Sequence, residues 1–131
     1  MIVRGTTARP DAGAALAQVI LAACVTGTPL TVSLSPDSPP WAWLPDCDGV
    51  DVVVEAEAGL VERLAHPDDA ERVRALGPIS TAARAAAHGT GVAVLDAPVL
   101  ANGRLELRWY LREQTVSHVL HRYGNIPGAS S

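Results

Sequence analysis

The 131-residue sequence has no phenylalanine and no lysine, one methionine and two cysteines. Without phenylalanine, the core must be assembled from alanine, valine and other small or branched side chains, with the three tryptophans as local anchors. All ten basic residues are arginine, a compositional habit of a GC-rich genome. They form no cluster, and the formal net charge is -4, so nucleic acid is not an expected partner.

Two cysteines are too few for a disulfide framework. Cys24 lies in the apolar run Val19 to Ala23, where a buried, inert thiol is expected. Cys47 lies between Asp46 and Asp48, whose carboxylates disfavour the thiolate a nucleophile needs. No apolar run approaches the ~18 residues of a membrane span, and no charged-then-apolar leader opens the chain. A cytoplasmic protein without a transmembrane segment is therefore expected. What is present is an apolar fraction of 48%, enough for one packed globular domain.

Local patterns place the elements. Ile2 to Arg4 reads as a strand, and Pro10 and Asp11 open a helix. Leu16, Val19, Ile20, Ala23 and Cys24 recur at three- and four-residue spacings and are assigned to its buried face, with Gly27 as the C-cap. Leu30 to Leu34 alternates like a strand. Ser35 to Gly49 is a loop rich in proline, carrying Trp41 and Trp43 as anchors to the body. Asp51 to Glu55 reads as a short buried strand, and Ala58 to His66 as a helix turning Leu60, Val61 and Leu64 inward. Asp68 and Asp69 are assigned to a further capped turn, and Arg72 to Leu76 to an internal strand. Ser80 caps an alanine-rich helix closed near Gly89 and Gly91, and Val92 to Leu95 is another strand.

Strands and helices thus alternate at βα spacing. This predicts an α/β, Rossmann-like fold: a mainly parallel sheet of about four or five strands with helices on both faces. It occupies residues 1–101. Residues 102–125 form a C-terminal helix and extended arm, and 126–131 a frayed tail. In the arm, Leu105, Leu107, Trp109 and Leu111 fit a strand, whereas Leu107, Tyr110 and Leu111 also fit one helical face. A short helix followed by an extended stretch from Thr115 is expected.

Chemistry-bearing patterns are scarce. The connection Arg4 to Pro10 holds one glycine, so the dinucleotide fingerprint is absent, as is a P-loop. Gly89 and Gly91 close a helix and cannot cradle a phosphate at a helix start. His118 and His121, three apart, fall on opposite faces if the arm is extended and on one face if it is helical, with no nearby cysteine to complete a zinc set. With His66 and His88 they read as surface or hydrogen-bonded histidines, so no metal site is expected. Glu55 with Glu57, and Asp68 with Asp69, sit at element boundaries, where acids cap helices or face water. Glu113, Ser117 and His118 have a triad's residue types, but strand neighbours point apart and no nucleophile elbow is present. Trp41 and Trp43 suit ligand stacking less well than loop anchoring. No catalytic, cofactor-binding or metal-ligating residue is assigned.

One segment resembles a known family. Asn102 to Ser117 (NGRLELRWYLREQTVS), followed by His121-Arg122-Tyr123-Gly124-Asn125, is similar to the extreme C-terminus of bifunctional proline utilization A enzymes. These join proline dehydrogenase to 1-pyrroline-5-carboxylate dehydrogenase, an aldehyde dehydrogenase, in proline catabolism. The upstream βα pattern is similar to the region following the catalytic aldehyde dehydrogenase in the longer members. The resemblance implies a non-catalytic domain of the aldehyde dehydrogenase superfamily. Such a domain packs on the catalytic dehydrogenase and helps enclose the semialdehyde intermediate. FAD and NAD would belong to other domains of that oxidoreductase. The implied partners are the catalytic domains of the same enzyme, and the apolar arm makes a homo-oligomer an additional expectation. The interface residues it implies are Leu107, Trp109, Tyr110, Leu111, Arg112, Glu113, Gln114, His121, Arg122 and Tyr123. The alternatives are a small NAD-binding Rossmann-like module, suggested by fold class alone, and an independent hydrolase or isomerase.

Overall fold

The computed structural model describes residues 1–5, 11–38, 48–68 and 70–111. Its centre is a five-stranded, all-parallel sheet in the order β3-β2-β1-β4-β5. The strands are β1 (Ile2–Arg4), β2 (Leu30–Leu34), β3 (Val50–Val54), β4 (Arg72–Ala75) and β5 (Ala93–Leu95). The helices are α1 (Ala12–Thr26), α2 (Glu57–Ala65), α3 (Thr81–Gly89) and α4 (Gly103–Leu107). The fold is the Rossmann-like α/β architecture that the alternation of elements predicts.

Strand alternation divides the core into two layers. Val3 and its β2 partner Val32 point to one face, where Leu16, Val19, Ile20 and Ala23 of α1 and Tyr110 close over them. Ile2 and its β4 partner Val73 point to the other, against Leu60 and Leu64 of α2 and Ala83 and Ala87 of α3. Alanine at both α3 positions lets this helix sit close to the sheet, as a core without phenylalanine requires.

Cap chemistry fixes the helix ends. The Gly27 backbone is left-handed (φ 65°) and its N–H donates to the Cys24 carbonyl, while the Thr28 N–H donates to that of Ala23. Ser80 caps α3, its hydroxyl accepting from the Ala83 N–H at 3.0 Å. At the start of α1, the Asp11 carbonyl accepts from Ala15, but the side chain makes no capping bond.

Three expectations need correction. Cys24 is exposed, not buried. It follows Ile20 by four residues but lies on the flank of α1, beyond the stripe formed by Leu16, Val19, Ile20 and Ala23. Strand β3 is not a buried strand: the sheet order puts it at an edge, and Val52 and Val54 stay 39% and 65% exposed. The turn after α2 is not capped by Asp68. This residue has φ 23°, its N–H donates to the His66 carbonyl, and Asp69 lies outside the described residues. Among the described residues, no helix is long and apolar enough to cross a membrane.

Candidate functional site

Open α/β sheets bind ligands beyond the carboxyl ends of their strands, where the strand order reverses. Here that point lies between β1 and β4. A crevice of about 280 Å³ opens there, lined by small and apolar side chains such as Ala14, Ala75 and Leu76, with Asp11, Gln18 and Asp96. Asp96 is tied to Arg84 at 2.8 Å, and that hydrogen bond and charge hold its carboxyl below the ordinary range. Asp11 stands at the amino end of α1, where a pyrophosphate would need positive potential and free N–H groups. The Ala83 N–H at the start of α3 is already occupied by Ser80. Among the described residues, the crevice brings no nucleophile against a base.

Beside the crevice, the carboxyl ends of β1, β2 and β3 carry a polar network on the α2 side. Arg4 donates to the Ser33 hydroxyl at 2.9 Å and the Glu55 carbonyl at 3.1 Å, and pairs with Glu57 at 3.4 Å. Ser33 donates to the Glu55 carboxylate at 2.7 Å, which also accepts a two-pronged contact from Arg63 at 3.1–3.2 Å. Burial alone would push the Glu55 carboxyl up. The hydrogen bonds from Arg63 and Ser33, with the charges of Arg63 and Arg4, outweigh it and hold the group below its ordinary value. Two arginines against two carboxylates leave the network neutral and its main donors used, the signature of a structural brace. Thus Glu55 and Glu57, expected at element boundaries, brace the ends of three strands.

The third region is the C-terminal segment. Asn102 caps α4 by accepting from the Arg104 N–H. Two arginines of β4, Arg72 and Arg74, point to the α1 face, two residues apart on one strand. Arg74 is fully buried and meets the buried Glu106 at 3.0 Å, while its other nitrogen donates to the carbonyls of Leu95 and Ala97. Glu106 also accepts from the Leu100 N–H and the Tyr110 hydroxyl. Burial and the Glu106 charge push the Tyr110 phenol well up, so it stays a neutral donor. Arg72 donates to the carbonyls of Trp109 and Leu111 at 2.6 and 3.1 Å. Arg108 stacks over the Trp109 ring at 4.6 Å.

Of the expected interface residues, Tyr110 is core, 5% exposed, and Leu107 and Trp109 are half-buried against the same cluster. Leu111 is 53% exposed. Arg112, Glu113, Gln114, His121, Arg122 and Tyr123 lie outside the described residues, as do Trp41, Trp43, Cys47, Ser117 and His118. His66 and His88 are exposed, and no group of three potential metal ligands occurs among the described residues. Sequence reasoning missed Arg74 and Glu106. The available signal was an arginine between Val73 and Ala75 in an apolar strand, which demands a buried acid somewhere in the chain. No protein-family model, curated protein or solved structure matches the chain.

Proposed function

We propose that the chain is a non-catalytic structural and interaction domain of a proline utilization A-type enzyme. It packs on the aldehyde dehydrogenase part and helps enclose the intermediate between proline and glutamate. The observation that carries this reading is the clamp of Arg72 and Arg74 on residues 102–111, which ties the root of the family-like segment to the sheet. A clamp of this kind gives an arm a fixed point of departure and spares it the ordering cost of a free tail.

The test is co-purification with the proline dehydrogenase–aldehyde dehydrogenase portion of the same organism's enzyme, using residues 1–131 and 1–111. The cut belongs after Leu111, because removing Glu106 and Tyr110 would strip the core itself. Binding by the full chain that is lost in 1–111 supports the reading. Binding by neither form overturns it.

A further inference from the structure

Asparagine occurs twice in the sequence, and one of the two, Asn102, is followed by glycine. An Asn–Gly peptide carries a reaction of its own, because the glycine nitrogen has no side chain beside it to hinder attack on the asparagine carboxamide. Asn102 is exposed, and a methyl group built on Gly103 meets nothing within 4 Å, so the peptide stands clear of packing on that side.

The cap of α4 adds a second feature. The Arg104 N–H donates to Asn102 Oδ1 at 3.1 Å. That oxygen takes up negative charge when a nucleophile adds to the carboxamide carbon, so the capping donor is placed to stabilise the adduct. Among the described residues, the Asn102 amide nitrogen, which would have to leave, has no hydrogen-bond partner. The start of α4 also depends on this residue's backbone. The Asn102 carbonyl accepts from the N–H groups of Leu105 and Glu106 at 3.1 and 3.0 Å. Across the same peptide, the Leu100 N–H donates to the Glu106 carboxylate at 3.0 Å.

We propose that Asn102–Gly103 is a self-modifying peptide whose reaction loosens the clamp on residues 103–111. The Gly103 nitrogen bonds to Asn102 Cγ, the Cγ–Nδ2 bond breaks, and ammonia leaves with the Gly103 amide proton. A cyclic imide remains. Water opens it at Cγ to give aspartate, or at the main-chain carbonyl to give isoaspartate. The balance is one water in and one ammonia out. The two products differ in consequence. Aspartate keeps the backbone and caps a helix about as well as asparagine. Isoaspartate routes the main chain through Cβ and Cγ, so the carbonyl that accepted from Leu105 and Glu106 becomes a free carboxylate. The longer main chain also shifts Glu106, the partner of buried Arg74, out of register. The inference goes beyond the proposed function and does not depend on it.

The experiment holds the full chain in mildly alkaline buffer and follows residue 102 by mass spectrometry. The tryptic peptide from Ala85 to Arg104 contains no other asparagine or glutamine, so its mass gain reports Asn102 alone. Asn102 should convert about tenfold or more faster than Asn125, whose successor Ile126 is β-branched. Gly103→Ala adds its methyl group to open space, so it should keep the fold by circular dichroism and slow conversion by about tenfold or more. The isoaspartate form, identified with protein isoaspartate methyltransferase and separated by ion exchange, should melt roughly 4 °C or more below the unreacted chain. Asn102→Asp should melt no lower than the unreacted chain. Conversion no faster than at Asn125, or undiminished in Gly103→Ala, overturns the site. An isoaspartate form that keeps the unreacted midpoint overturns its effect on the clamp.

Discussion

Replacing Glu106 with leucine is the sharpest test of how the C-terminal segment is held. The change removes the only carboxylate bonded to Arg74 among the described residues, and the Arg74 side chain is 0% exposed. Breaking a buried pair by deleting one partner costs about 3–5 kcal/mol, because the remaining charge stays uncompensated. The Leu100 N–H and the Tyr110 hydroxyl lose their acceptor at the same time. Against a total stability of roughly 5–15 kcal/mol for a domain, about a fifth or more is at stake. The thermal midpoint should fall by roughly 10–20 °C. Urea unfolding followed by circular dichroism measures the loss directly. R74M/E106L should be more stable than Glu106→Leu alone, since an apolar pair leaves no buried charge, although the Leu95 and Ala97 carbonyls then lack their donor. Arg84→Ala, at the solvent-exposed pair with Asp96, should leave the midpoint nearly unchanged. A loss below about 1 kcal/mol for Glu106→Leu, or a double variant as weak as the sum of its singles, would refute the reasoning.

Two further expectations follow from the brace and its helix. A methyl group at Gly59 would stand 3.1 Å from Glu55 Cβ and 3.3 Å from its carboxylate, whereas one at Gly89 meets open space. Gly89→Ala should therefore gain up to about 1 kcal/mol of helix propensity, and Gly59→Ala should forfeit that gain by displacing Glu55, as paired denaturation curves would reveal. The lowered Glu55 carboxyl stabilises the fold fully above its ordinary value of 4.5, and that contribution disappears as pH falls through the lower folded value. The acid limb of a stability–pH profile should accordingly be shallower in Glu55→Gln, and an unchanged limb would show that the Arg63 contact carries no weight.

Much of the fold was legible in the sequence because caps and alternation are local. Gly27 and Ser80 end and begin their helices as read, and each strand from Leu30 to Leu95 falls where the apolar runs are. The orientation of Cys24 was not legible because α1 is apolar all round. Leu21 and Val25 have the same four-residue spacing as Leu16 and Ile20, so periodicity alone cannot choose the sheet-facing side. Edge and centre were half legible: Arg72 to Ala75 is internal as read, whereas the more uniformly apolar Val50 to Val54, read as buried, is an edge strand. The polar sites were least legible. Arg4 finds Ser33 and Glu57, and Arg74 finds Glu106, across separations that carry no local signal.

The place of β1 in the sheet has a consequence for how the chain reaches this structure. Ile2 pairs with Thr31 on one side and Val73 on the other, partners 29 and 71 residues away. By loop-closure entropy alone the second pairing costs about 0.8 kcal/mol more than the first. The β1–β2 half therefore tends to assemble early, leaving the far side of the central, three-residue strand open until β4 is in hand. During refolding that open side can recruit β4, or a neighbouring chain's strand in its place. Dilute conditions should favour the native outcome, and the yield of refolded monomer should fall steeply as chain concentration rises.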